Sequence, residues 1–340
     1  YITTPGSVLA SGTTLSDGSF GRIPLGKFKG AVVVRSVGGL FLDPATGATV
    51  ALSAAVNGGV AESEWNALIA IDPKTDFGGL TLSPLSRIAT AVGIGLAEYT
   101  GRGREHVAVR AHRDVSLYFG DDPVLVPRAR GTVLWDTSAP LASTPTAIDR
   151  NIALGLIVAG LSVRAAARGQ DLESYTDELF LDAVDGCVDG VLHPPAASSV
   201  SKIGTANYPD DPLGLTLATD IETFLNGPTN ASGITVAQAQ SFLSRIAGGG
   251  GQLVPELPRI EQVVAPLVPG QREVTIRGTR FARGAQVWFG STAAPFVVVE
   301  GGTQIRAELP AGFVSGSTVF VTVQNPDGLR HSVEVTITLP

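Results

Sequence analysis

From residue 83 to residue 247, apolar side chains recur three and four positions apart, the spacing of one helical face. Ser83-Pro84 sets a hydroxyl cap before a proline at the first helical position, and Leu85, Ile88, Ala89, Val92 and Leu96 follow on one stripe. A second helix is predicted over residues 146–168, with Ile148, Ile152, Leu156, Ala159 and Val163 aligned. Further helices are predicted over 172–184, 217–225 and 235–247, and the glycines of 248–251 end the last. Residues 107–135 break the period. Val107-Ala108-Val109-Arg110 and Val124-Leu125-Val126 read as β, so an inserted hairpin or a long loop is expected near 105–135.

At both ends the pattern changes to short β-rich runs divided by Gly, Pro, Asn and Asp. Near the front, Ser16-Asp17-Gly18-Ser19-Phe20 reads as a turn and strand. Residues 30–39 read as a stronger strand, and Leu42-Asp43-Pro44-Ala45-Thr46-Gly47 as a turn closed by Ala48-Thr49-Val50-Ala51-Leu52. After residue 255 the runs recur at roughly ten-residue intervals. In the last two, Val319, Val321 and Val323, and Val333, Val335 and Ile337, are predicted to face a core, with Thr322, Glu334 and Thr336 facing water. Asn325-Pro326-Asp327-Gly328 supplies the turn between them. The expected fold class is multi-domain α+β. A partial N-terminal β-sandwich occupies residues 1–60, a mainly helical domain 61–248, a Gly/Pro linker 249–257 and a C-terminal β-sandwich 258–340.

Pro258-x-Ile260, Pro266, Val274-x-Ile276-x-Gly278-x-x-Phe281, Val287-x-Phe289-Gly290, Leu309-Pro310-Ala311-Gly312 and Val321-x-Val323-x-Asn325-Pro326-Asp327-Gly328 follow one another along the terminal segment. Together they resemble an IPT/TIG domain, an immunoglobulin-like fold. The resemblance implies a spacer or interaction module of the kind carried by cell-surface and extracellular proteins.

The order of turns and strands in the first 60 residues resembles the Ig-like, carboxypeptidase-regulatory-type module at the front of many bacterial surface lipoproteins. In that pattern one or two strands precede the position of Tyr1. A sandwich lacking them exposes unpaired backbone groups and an apolar groove, for which a strand donated by a neighbouring subunit is the expected filler. Leu82-Ser83-Pro84-Leu85-Ser86-Arg87-Ile88-Ala89 is similar to the helix that follows this module. Leu181-Asp182-Ala183-Val184-Asp185-Gly186-Cys187-Val188-Asp189-Gly190 is similar to its Asp-Gly-rich helix end, and Asn230-Ala231-Ser232-Gly233-Ile234-Thr235 to a loop before a late helix. The resemblance brings no catalytic residues.

Charge narrows the function. A formal net charge of -7 with no dense Lys/Arg stripe argues against nucleic acid. Charged residues make up only 16%, so hydroxyls and backbone supply much of the hydrophilicity, as in exposed secreted proteins. With no Met anywhere, a leader removed from the front is expected. One cysteine, Cys187, excludes an intrachain disulfide. No apolar run reaches the roughly 18 residues of a membrane span.

Chemistry-bearing residues are sparse. Asp182, Asp185 and Asp189 form the densest acidic cluster and are the weak Ca²⁺ candidates. Their spacing is not that of an EF-hand, and capping with Asp-Gly turns explains them without a metal. His106, His112, His193 and His331 are scattered and lack the spacing of a zinc pair. Neither a nucleophile elbow nor a phosphate loop occurs, and Asn230-Ala231-Ser232 fits a glycosylation sequon. No cofactor and no enzymatic activity are expected. The leading expectation is a secreted bacterial structural protein, a subunit of a self-assembling surface filament or layer whose partners are other copies of itself. Its contact edges are expected in residues 1–40, at Val8, Leu9, Val32 and Val34, and in the terminal strand, at Val333, Val335 and Ile337. The alternative is a monomeric adhesin that binds cell-surface proteins or glycans through the terminal sandwich. An enzyme with a site assembled from distant residues is the third reading, and it requires a cleft of convergent polar groups.

Overall fold

A computed structural model describes residues 8–15, 20, 24–52, 56–57, 60–61, 65–71, 80–119, 148–184, 186, 188, 191–192, 201–202, 213–247, 257–266, 268–326 and 329–340. The front holds strands β1 (Gly30–Ser36), β2 (Leu40–Leu42), β3 (Thr49–Ala51), β4 (Val56–Asn57), β5 (Val60–Ala61) and β6 (Trp65–Ile71). Helices α1 (Pro84–Thr100), α2 (Arg104–Tyr118), α3 (Arg150–Ala167) and α4 (Leu172–Ala183) come next. After strands β7 (Val191–Leu192) and β8 (Ser201–Lys202) come α5 (Leu213–Asn226) and α6 (Val236–Ala247). The last part is all strand: β9 (Arg259–Val264), β10 (Glu273–Thr279), β11 (Gln286–Phe289), β12 (Thr292–Ala293), β13 (Val297–Glu300), β14 (Gln304–Glu308), β15 (Ser317–Gln324) and β16 (Arg330–Ile337). The molecule is α+β in the expected order of strands, helices and sandwich.

The helices start where their caps stand. Ser83 accepts the Ser86 N–H while the Ser86 hydroxyl accepts the Ser83 N–H, a reciprocal box that fixes the first turn of α1 behind Pro84. Asp149 caps α3 through the Ile152 N–H at 2.9 Å, and Asp171 caps α4 through the Ser174 N–H. Thr235 and Gln238 exchange bonds at the start of α6. Glycine lets helices approach closely: a Cβ on Gly160 of α3 would lie 2.6 Å from Ile221 of α5. One core joins these elements, from Leu85 on α1 through Leu156 and Leu161 on α3 to Leu217 and Ile246.

The β reading of residues 107–110 is corrected, because they belong to α2. Val107, Ala108, Ala111 and Val115 are buried on one helical face, whereas Val109 is 50% exposed. What looked like β-branched alternation is a helix whose second valine, Val109, points to water; packing against α1 outweighs the weak helix propensity of valine. Residues 120–147 lie outside the described residues.

β6 lies beyond the boundary expected at residue 60 and ties the front to the helices. It pairs antiparallel with β1, from Gly30↔Ile71 to Ser36↔Trp65. Helices α1 and α2 pack against this two-stranded sheet. Gly93 is the point of closest approach, where a Cβ would stand 2.8 Å from Leu68 Cδ2. The β2–β3 hairpin is latched to α3: Asp43 Oδ1 accepts the Ser162 hydroxyl at 2.6 Å and the Ala45 and Thr46 N–H groups, and the hydroxyl accepts the Ala45 N–H at 3.0 Å.

At the other end, sheets β13-β14-β10-β9 and β12-β11-β15-β16 face each other over a second core centred on Val274, Ile276, Val287, Ile305, Val321 and Val323. Gly278 sits at a register shift between β9 and β10, where a Cβ would fall 1.8 Å from the Arg259 carbonyl oxygen. Asn325 is more than a turn residue. Buried, it accepts the Ala282 N–H and donates to the carbonyl of Arg280, a residue held at φ 58°. Thr322, predicted to face water, is buried and shares a 2.6 Å hydrogen bond with Ser332. Leu257, at the end of the predicted linker, and Leu329 are both buried within the central core, so the sandwich meets the helices through packed side chains.

Candidate functional site

The N-terminal sheet has two edges, and they are treated differently. On the β6 edge, the Ser86 hydroxyl donates to the Asn66 carbonyl at 2.7 Å. Thr90 Oγ1 accepts the Leu68 N–H at 2.8 Å, and its own proton goes to the Ser86 carbonyl one turn back. His112 Nε2 lies 2.9 Å from the Leu68 carbonyl oxygen. A carbonyl only accepts, so Nε2 carries the proton there. Ser86, Thr90 and His112 are buried. Three side chains on two helices thus provide the bonds that a further strand would have provided.

This geometry fixes the orientation of β1. Asn66 and Leu68 turn their backbone groups away from β1, so in antiparallel register their partners Arg35 and Val33, and Ala31 in the same phase, turn theirs away from β6. Among the described residues no strand pairs with that outer edge. Val32 and Val34, expected as contacts, bond inward to β6, and their half-buried side chains lie on the sheet face opposite Leu68.

Exposed apolar side chains gather nearby in sequence. Of the thirteen large hydrophobic residues that are exposed among the described residues, seven fall in the first 42: Val8, Leu9, Leu15, Phe20, Val37, Leu40 and Leu42. Val8 is 84% exposed and Leu40 72%. The terminal strand is different. Ile337 is fully buried, and Val333 and Val335 pack against the sandwich core, so these side chains serve the sandwich, while β16 itself lies at the end of its sheet.

The remaining candidates disperse. Asp182 is fully buried on α4, Asp185 and Asp189 lie outside the described residues, and among the described residues no group of three His, Cys, Asp or Glu is arranged to hold a metal. His112 is a structural donor, His106 is exposed, and His331 accepts the Ile260 N–H across the sandwich seam. His193 and Cys187 lie outside the described residues. The sequon asparagine is engaged in its own loop, its amide nitrogen donating to the Leu225 and Ile234 carbonyls at 2.8 and 2.9 Å, a turn-forming role.

No single helix among the described residues is long and apolar enough to cross a membrane. The α3–α4 pair passes only as a unit bent by 100°, and its apolar residues fill the central core. No curated protein matches the chain. The family model for the IPT/TIG domain matches residues 258–338, the segment folded as two facing sheets around Gly278 and Asn325. The C-terminal sandwich is therefore an IPT/TIG domain, a non-enzymatic Ig-like module of a kind found in surface and adhesion proteins and usually extracellular.

Proposed function

We propose that this chain is a bacterial extracellular structural protein, a subunit that associates with copies of itself in a surface filament or layer and is joined by strand pairing. The observation that carries this reading is the concentration of exposed apolar residues in the first 42 positions, beside a sheet with one edge left without a strand among the described residues. The IPT/TIG domain, packed on the helices through Leu257 and Leu329, serves as a fixed spacer. Sedimentation velocity over a hundredfold concentration range, with electron microscopy of the same samples, tests it. Concentration-dependent growth into regular assemblies is expected, and a strictly monomeric chain at every concentration overturns it.

A monomeric adhesin is the second reading. Phe296, 49% exposed beside edge strand β13, favours it by offering an aromatic contact on the IPT/TIG domain. A monomer that binds glycans or cell-surface proteins through Phe296 would replace the first reading.

A further inference from the structure

We infer that the outer edge of β1 is a strand-addition site for a second copy of this chain, and that residues 8–15 of that copy supply the strand. The inference rests on the self-associating reading and names its contact. Strand addition requires an open row of backbone groups, and on the β6 edge Ser86, Thr90 and His112 break that row by occupying the Asn66 carbonyl and both groups of Leu68. Growth of this sheet is confined to β1, where the groups of Ala31 and Val33 point outward. β1 also lacks the usual protections of an edge: it contains no proline, and its one charged residue is Arg35.

The proposed donor has matching chemistry. Residues 8–15, Val-Leu-Ala-Ser-Gly-Thr-Thr-Leu, are exposed throughout and adopt no regular structure. They carry no charge and no proline, so every residue can donate and accept in a ladder and no ion is desolvated. Their eight residues suit the seven of β1. Leu9, Ser11, Thr13 and Leu15 would share one face, bringing two of the exposed leucines to the same side. Charge is compatible with this donor. Residues 20–42 contain Arg22, Lys27, Lys29 and Arg35 and no acidic residue. A segment without Lys or Arg, such as residues 8–15, can pair beside Arg35 without like-charge repulsion.

The test uses the full chain in a Cys187→Ser background. Val33→Pro removes an outward N–H and no bond to β6, and it should weaken association by about tenfold or more, the size of one or two lost backbone hydrogen bonds. Circular dichroism and thermal melting report whether this variant folds. A second measurement does not depend on it. Chains carrying Val32→Cys are mixed with chains carrying Leu9→Cys, Ser11→Cys or Thr13→Cys and oxidised. Val32 bonds inward to β6, so it would face the added strand in a non-hydrogen-bonded pair, close enough to bridge. Disulfide-linked dimers between the two kinds of chain are expected. If the parent associates but Val33→Pro associates equally and no mixed disulfide forms, this edge is wrong while self-assembly stands. If Val32→Cys combined with Ser11→Cys in one chain gives only an internal disulfide in a monomer, the chain fills its own edge and the inference falls. A parent that never associates removes the functional reading and this contact together.

Discussion

In the IPT/TIG domain the devices that lock the sheets come from the domain itself, whereas the N-terminal sheet takes the bonds of one edge from helices 20 to 44 residues further along the chain. Gly278 admits the Arg259 carbonyl, Asn325 ties two loops, and His331 joins β9 to β16, all within residues 258–338. β6 depends instead on Ser86, Thr90 and His112. The difference shows two ways of protecting a sheet edge. One writes the protection into neighbouring strands, and the other makes it conditional on helix docking.

The largest effect tests the autonomy of the sandwich. Gly278→Ala would drive a Cβ into a backbone oxygen that cannot move without separating β9 from β10, at a cost of about 3 kcal/mol or more. Amide exchange should show protection lost across β9 to β16 and retained in α1, α2 and β6. Uniform loss would instead mean that Leu257 and Leu329 couple the two regions into one unfolding unit.

A smaller effect tests the dependence of the front sheet on its helices. Thr90→Val keeps the shape of the side chain but leaves the buried Leu68 N–H without its acceptor, and His112→Leu deprives the Leu68 carbonyl of its donor. Each should cost about 1–3 kcal/mol in chemical denaturation. The double variant should cost less than the sum, because both side chains serve the same residue. Faster exchange of the Leu68 amide in Thr90→Val would confirm the site of damage. Unchanged stability in both single variants would show that the β6 edge does not need its helices, and the contrast with the sandwich would disappear.

The same difference explains what the sequence shows. Helices α1, α3, α4, α5 and α6 are legible because their caps and stripes are local, as Ser83-Pro84 and Asp149 illustrate. The IPT/TIG domain is legible because its glycines and turn residues answer to neighbours in the same segment. β6 escapes notice because Trp65-Asn66-Ala67-Leu68-Ile69-Ala70-Ile71 becomes a strand by pairing with β1, some 30 residues upstream, and by receiving bonds from helices. One signal of the capped edge was present. Ser86 and Thr90 are hydroxyl residues four apart, beside the apolar stripe of Leu85, Ile88, Ala89 and Val92, and buried hydroxyls require partners. Their target could not be named without knowing where β6 lay.

The smallest effect lies at a helix joint that belongs to neither sheet, and it separates their pH behaviour from that of the scaffold. Asp220 on α5 meets Arg164 on α3 at 2.7 Å. Burial raises the Asp220 carboxyl above its ordinary value, and the hydrogen bond and charge of Arg164 pull it part of the way back. The folded protein therefore holds this proton more tightly than the unfolded chain does. The stabilisation it contributes is complete below the ordinary value of 3.8 and is lost as pH rises through the folded value. Asp220→Asn removes this dependence, so denaturation measured from about pH 3.5 to 7 should fall less steeply with pH in the variant than in the parent. The difference should lie within the about 0–1 kcal/mol typical of partly solvated pairs. Parallel curves would exclude the joint between Asp220 and Arg164 as the source of any pH dependence of stability.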